Sequence, residues 1–278
     1  MTAVATTTLP QTEPSLGTRA RWGAIDAFTI ARRNLLVWMR VPAYLVFTII
    51  QPVMFVLMFR YVFGGAIAVP GIPGGYVNYL MPGIIGQTAA FACFGTAIAL
   101  AQELQKGVID RLRSMPMARS GVLVGRLVAD TIRAVITILV ILGVGYAVGF
   151  RFSNGVVPAI GMVLLAIVFA VAFCCIAAYT GLAIGDEESV QAFGLIWLFP
   201  LTFVSSAFVP IQSMPGWLQA FANNQPVTYT INAMRAMALG SKAAGVPLEA
   251  NLLKSLACLI GIFVVFIPLS VRAYKRAS

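Results

Sequence analysis

The stretch Glu103-Leu104-Gln105-Lys106-Gly107-Val108-Ile109-Asp110-Arg111-Leu112-Arg113-Ser114-Met115-Pro116-Met117-Ala118-Arg119 is an island of charge in an otherwise strongly apolar chain. Hydrophobic runs at 79–102 and 134–150 flank it, each close to the roughly 20 residues a helix needs to cross a bilayer. An island between two spans is a loop at one membrane face. Lys106, Arg111, Arg113 and Arg119 assign that face to the cytoplasm, where loop Lys and Arg accumulate. Within the island Val108, Leu112 and Met115 recur at helical spacing opposite Asp110, Arg111, Arg113 and Ser114. This predicts a short amphipathic helix over 105–115 that stops near Pro116. Such a helix either lies on the membrane surface or docks into another protein, and amphipathicity alone does not separate the two.

With 60% hydrophobic and 10% charged residues in 278, the chain falls in the integral membrane class, as a single bundle. The net charge of +10 sits at predicted cytoplasmic membrane edges, so lipid headgroups and topology account for it and nucleic-acid binding is not expected. Histidine is absent, which removes the commonest general base and metal ligand and argues against a hydrolase or metalloenzyme. Cys93, Cys174, Cys175 and Cys258 lie in apolar runs without a CxxC pair and read as small buried hydrophobes, so no metal site is expected. Residues 1–18 read as a disordered cytoplasmic tail, since they lack the apolar core of a signal peptide.

Along the chain, 19–42 mixes Arg19, Arg21, Arg32, Arg33 and Arg40 with Trp22, Ile25, Phe28 and Trp38, which predicts an amphipathic helix on the cytoplasmic interface. A transmembrane domain over 43–271 follows, with spans at about 43–63, 79–101, 126–149, 157–184, 190–209 and 252–271, and 272–278 forms a cytoplasmic tail. Gln51-Pro52 in the first span predicts a kink with a polar group in hydrocarbon, and Gln87-Thr88 repeats that pattern in the second. Arg126, Asp130 and Arg133 share a helix face, which predicts an ion-paired helix end at the cytoplasmic interface. A proton relay would want a carboxylate nearer the midplane. Gly185-Asp186-Glu187-Glu188-Ser189 reads as a solvated turn and helix cap. The pieces of 211–237, cut by Pro215, Gly216, Asn223, Asn224 and Pro226, are too short to cross and predict paired helices dipping into the outer leaflet. Basic residues of the N-terminal segment, the island and the tail outnumber Arg60, Arg151, Arg235, Lys242 and Lys254 outside, so both termini are expected in the cytoplasm. Gly121/Gly125, Gly145/Gly149 and Gly181/Gly185 have GxxxG spacing, which permits close helix packing.

The segment Gly107-Val108-Ile109-Asp110-Arg111-Leu112-Arg113-Ser114-Met115-Pro116 resembles the cytoplasmic loop of ABC-2 type transporter permeases, most closely the daunorubicin/doxorubicin-resistance permeases of actinobacteria. Met58-Phe59-Arg60-Tyr61-Val62-Phe63-Gly64-Gly65, Tyr79-Leu80-Met81-Pro82-Gly83-Ile84-Ile85-Gly86-Gln87-Thr88, Phe199-Pro200-Leu201-Thr202-Phe203 and Met214-Pro215-Gly216-Trp217-Leu218 resemble the same permeases in the same order. The resemblance implies an all-α integral membrane fold: six transmembrane helices, an N-terminal interfacial helix, a cytoplasmic coupling helix, and re-entrant exterior helices before the last span. It implies that Glu103, Gln105, Asp110, Arg111, Arg113, Ser114, Met115 and Pro116 meet a separate ATP-binding subunit, present in two copies and holding ATP and Mg. This chain has no G-x-x-x-x-G-K-[ST] phosphate loop, needs no cofactor of its own and is not expected to be an enzyme. Six spans make half of a pathway, so a second permease is implied, identical or related.

The function implied is the membrane-spanning permease subunit of an ATP-driven exporter, in the bacterial cell membrane, moving hydrophobic drugs, natural products or lipids by alternating access. Gln51, Phe55, Met58, Gln87, Phe94 and Trp197 are the candidate pathway residues, each of which also serves as a packing residue. The alternatives are an ABC-2 polysaccharide or glycolipid exporter, which shares the architecture, and a proton-coupled drug antiporter, which the missing intramembrane carboxylate disfavours. A membrane-embedded lipid enzyme would need a catalytic cluster that cannot be assembled without histidine.

Overall fold

The basic N-terminal segment folds as one helix, α1 (Leu16–Arg40), in the computed structural model, which describes residues 16–40, 42–65, 67, 71–109, 111 and 119–276. The expected tail before residue 16 lies outside the described residues. Pro42 opens α2 (Pro42–Met58), where a missing amide hydrogen costs nothing, and Pro52 sits in its interior, where it removes a ladder bond. The helix continues through a π-helical turn, Phe59–Phe63.

The second apolar run forms α3 (Tyr76–Phe91) and α4 (Cys93–Gln105), with a break at Ala92. Then come α5 (Arg119–Ala147), α6 (Val156–Ile184) and α7 (Glu187–Phe203). Two short helices, α8 (Gly216–Asn223) and α9 (Pro226–Leu239), fill the segment expected to hold paired short helices. A single turn, α10 (Ser241–Ala244), leads to α11 (Leu248–Arg276). Among the described residues, four helical segments are long and apolar enough to cross a membrane: Tyr76–Gln105, Gly121–Ala147, Val156–Ile184 and Leu248–Arg276. Thr48–Phe63 is a shorter apolar helix.

Two boundaries differ from the sequence reading. The third apolar helix begins at Arg119 rather than near 126, because Val122, Leu123 and Ala129 bury against the bundle and stabilise the extra turns. The fifth ends at Phe203 rather than 209. Past Pro200 the backbone leaves the helix, and its polar groups find side chains instead: Ser205 Oγ donates to the Thr202 carbonyl, and Gln225 donates to the Val204 carbonyl.

The core forms around α6, which is apolar on every side and packs against α4, α11, α9, α5 and α3. Small residues let the helices close in. A Cβ at Gly181 would meet the Ala97 carbonyl oxygen of α4 at 2.4 Å, and one at Gly125 would meet the Ala27 carbonyl oxygen of α1 at 2.4 Å. Gly145 opposes only the flexible end of Met81, while Gly149 and Gly185 are turn residues with positive φ. Of the three GxxxG pairs, Gly121/Gly125 forms a two-glycine packing face, on α1. Apolar side chains such as Met54, Ile196, Leu253 and Val264 remain exposed on α2, α7 and α11, as suits helices bathed in lipid.

Arg235, counted by sequence as an exterior charge, is 2% exposed on α9. Its Nε donates to the Tyr79 carbonyl at 3.1 Å, one terminal nitrogen to Asn232 Oδ1 at 3.0 Å and the other to the Ser206 carbonyl at 2.6 Å. The guanidinium lies 3.7 Å from the centre of the Tyr79 ring, a cation–π contact. Tyr76 and Tyr79 hydroxyls donate to the Phe208 and Ser206 carbonyls at 2.9 and 3.1 Å. This clamp ties the start of α3 to α9 and to the irregular backbone after α7, satisfying carbonyls that hydrocarbon would otherwise leave unpaired.

Candidate translocation cavity and its charged floor

A cavity of about 180 Å³ opens between α1, α2, the α3–α4 segment and α5. Pro52, in the interior of α2, lines it. Trp38, Phe55, Phe91, Ala134 and Ile138 give it apolar surface, and Thr48, Gln51, Gln87, Thr88 and Thr137 give it polar surface. Asp130 and Arg133 line one part of its wall.

Those two residues belong to a buried ionic network. Arg133 pairs with Asp130 within α5, and Thr96 Oγ1 donates to Asp130 Oδ2 from α4 at 2.6 Å. Arg126 Nε lies 3.9 Å from the same carboxylate, while another of its nitrogens reaches Glu103 Oε2 at 3.4 Å. Arg33 on α1 closes the chain of contacts onto Glu103. Arg126 and Asp130 are 6% and 5% exposed, so each charge has lost most of its water and depends on its partners. The ion pairing expected from the i, i+4 and i, i+3 spacing is present, but its place is not a helix end. Asp130 lies nine residues beyond Gly121, about 13 Å along the axis of an apolar helix. Asp130 thus lies in the first half of that apolar helix, inside the span 126–149 expected from sequence. It is neutralised by two arginines.

Glu103 connects this floor to the charged island. Two residues later Gln105 Nε2 donates to Asp186 Oδ1 at 3.1 Å, linking the end of α4 to the acidic turn. Asp186 caps α7, accepting from the Ser189 amide at 2.8 Å, as the turn's composition predicts. Hydrogen bonds from Ser189 and, secondarily, from Gln105 hold the Asp186 carboxyl below its ordinary pKa. The chain turns at Gly107 with φ +64°, and Ile109 is then 1% exposed in an apolar cluster with Ile30, Leu100, Val122, Leu123, Leu182 and Tyr274. Sequence spacing put Val108 on the apolar face; Ile109, its neighbour, is the more deeply anchored of the two.

Of the predicted coupling residues, Glu103 and Gln105 hold these bridging positions and Arg111 is exposed. Asp110, Arg113, Ser114, Met115 and Pro116 lie outside the described residues. Of the predicted pathway residues, Gln51, Phe55 and Gln87 line the cavity. Met58 faces outward on α2. Phe94 packs beside Phe91 and against Gly194 of α7, and Trp197 stacks on Phe173 at 6.0 Å, so both serve helix packing. Trp38, Thr137, Asp130 and Arg133 are cavity residues the sequence reading did not select. Asp130, Arg133 and Thr137 could have been found as one helix face continuing from Arg126, whereas Trp38 arrives from α1 with no local signal.

An all-helical chain with four helices able to cross a bilayer, enclosing a cavity with polar walls and an ion-paired floor, is a multi-pass integral membrane protein. Residues 26–239 match the model of the ABC-2 type transporter family, and the chain belongs to that family. It is similar to the "Daunorubicin resistance ABC transporter permease protein DrrB1" of Streptomyces coeruleorubidus, at 32% identity over 260 residues, 93% of this chain and 89% of the relative. It is also similar to the "Probable doxorubicin resistance ABC transporter permease protein DrrC" of Mycobacterium tuberculosis, at 29% identity over 270 residues, 97% and 95% of the two chains. The chain is thus a membrane permease of an ABC transporter.

Proposed function

We propose that this permease exports hydrophobic or amphipathic compounds (drugs, natural products or lipids) by alternating access, driven by ATP on a separate subunit present in two copies. Six membrane passes fit the chain, formed by α2 with its π turn, α3–α4, α5, α6, α7 and α11, with α8 and α9 re-entrant from the exterior and both termini cytoplasmic. A second permease, identical or related, completes the pathway. ATP and Mg belong to the ATP-binding subunits.

The observation that carries this reading is the continuity from Glu103, at the head of the charged island, through Arg126 to Asp130 and Arg133 in the cavity wall. A displacement of the island by an ATP-binding subunit is passed to α1 through Arg33 and to α5 through Arg126, the two helices that flank the cavity with α2. ATP drives transport in this scheme because its two nucleotide states favour different arrangements of these helices. Asp130, bound by two arginines and a threonine, is held as a structural anion, which disfavours a proton-coupled antiporter.

The test is uptake of a fluorescent hydrophobic drug into inverted vesicles containing the permease and its ATP-binding subunit. Uptake that needs ATP hydrolysis and survives collapse of the proton gradient is expected. Uptake driven by a proton gradient without ATP would overturn the reading in favour of an antiporter.

A further inference from the structure

Gln87 is 6% exposed, its side chain lines the cavity, and it makes no hydrogen bond among the described residues. Its amide atoms stay accessible without a protein partner, and a position whose only task is packing is better filled by leucine. The amide is therefore available to something that enters the cavity. Gln51 also lines the cavity but is exposed, so its amide is not short of partners.

The charge of the floor says what that something is. Arg33, Arg126 and Arg133 stand against Glu103 and Asp130, so the network carries one positive charge in excess. Arg133, the arginine that lines the cavity, keeps 24% of its side chain exposed despite its bond to Asp130. A partly exposed guanidinium in an excess of positive charge favours phosphate or carboxylate oxygens. Size narrows the fit further. At about 180 Å³ the cavity falls short of the roughly 300–1,000 Å³ of drug-sized pockets. The cavity takes a head group and the first part of what it is attached to.

We propose that this cavity is a head-group subsite for an anionic amphiphile. Its phosphate or carboxylate oxygens accept from Arg133 and from the Gln87 amide, and its hydrocarbon runs past Pro52, Phe55 and Phe91. The inference rests on the permease reading and narrows its cargo class.

The test is binding to the purified full chain in uncharged maltoside micelles, measured by titration calorimetry with dioctanoyl phosphatidic acid, dioctanoylglycerol, a single-chain alkylamine and inorganic phosphate. Phosphatidic acid is expected to bind about ten-fold more tightly than the uncharged glyceride, from its charge-assisted bonds, and the alkylamine more weakly still. Arg133→Lys should keep this preference and Arg133→Gln should abolish it. Gln87→Leu carries the test independently of the ion network: it should leave the unfolding temperature unchanged or higher while weakening phosphatidic acid binding about five-fold or more. Equal affinity for phosphatidic acid and the glyceride overturns the proposal, as does a Gln87→Leu chain that is less stable yet binds unchanged. Inorganic phosphate binding as tightly as phosphatidic acid would overturn the amphiphile and assign the site to a free anion. ATP-driven export of uncharged drugs without any such preference would sink this inference and leave the permease reading standing.

Discussion

Replacing Asp130 with asparagine keeps the shape of the side chain and removes its charge. Asp130 accepts from Thr96 at 2.6 Å, pairs with Arg133 and faces Arg126 Nε at 3.9 Å, all at 5% exposure. The substitution leaves two guanidiniums close together with no carboxylate between them. Breaking a buried pair from one side costs about 3–5 kcal/mol, and no cavity term adds because the volume is unchanged. Neutralising Arg133 as well, in Asp130→Asn with Arg133→Gln, restores the network's original net charge and leaves two amides that can bond to each other. The double variant is therefore expected to be more stable than the sum of the single effects by about 1–3 kcal/mol. The assay is equilibrium unfolding of the purified chain in maltoside micelles titrated with dodecyl sulfate and followed by tryptophan fluorescence. A loss below about 1 kcal/mol for Asp130→Asn, the range of an exposed pair, or strict additivity in the double variant, would refute the assignment of a buried, interdependent network.

The same unfolding assay tests the exterior clamp: Arg235→Lys keeps the charge but loses the fork and should cost about 2–4 kcal/mol, and a cost under about 1 kcal/mol would contradict the clamp. Gly181→Ala and Gly125→Ala push a methyl onto a neighbouring carbonyl and should each cost about 1–3 kcal/mol, whereas Gly143→Ala, with open space around it, should gain about 0.5–1 kcal/mol. A uniform response of the three glycines would count against the packing described. Asp186 is held below its ordinary pKa in the folded chain, so its stabilising contribution is present above the ordinary carboxylate range and is lost as pH falls through the lowered value. Protection of the first turn of α7 against hydrogen exchange, compared with Asp186→Ala at each pH, should converge with the variant on the acid side; a difference that persists at low pH would show that the charge is not the cause.

The apolar runs were legible because each is long and bounded by charge or by Gly and Pro, and each coincides with a helix or helix pair, α2, α3–α4, α5, α6, α7 and α11, with shifts of a few residues at most ends. The spacing of Arg126, Asp130 and Arg133 disclosed their shared face. Glu103 could be chosen only as part of the island, since its partners Arg33 and Arg126 arrive from 70 residues upstream and 23 downstream. Arg235 misled for a related reason: a lone arginine between short apolar pieces reads as solvated, and the carbonyls that receive it come from segments about 30 and 150 residues earlier. Among the aromatic pathway candidates, periodicity does not say which neighbour each side faces. Phe55 met the cavity and Trp197 met Phe173.

The central claim is that the charged island couples ATP hydrolysis to the cavity. It is tested most directly by co-purifying the tagged chain with a candidate ATP-binding subunit and measuring ATPase activity in nanodiscs with and without amphipathic cargo. The account predicts a stable complex whose hydrolysis rises with cargo, with that rise lost in Arg113→Ala and in Glu103→Gln. A chain that purifies without such a partner, or a complex whose hydrolysis ignores cargo in the wild type, would contradict it.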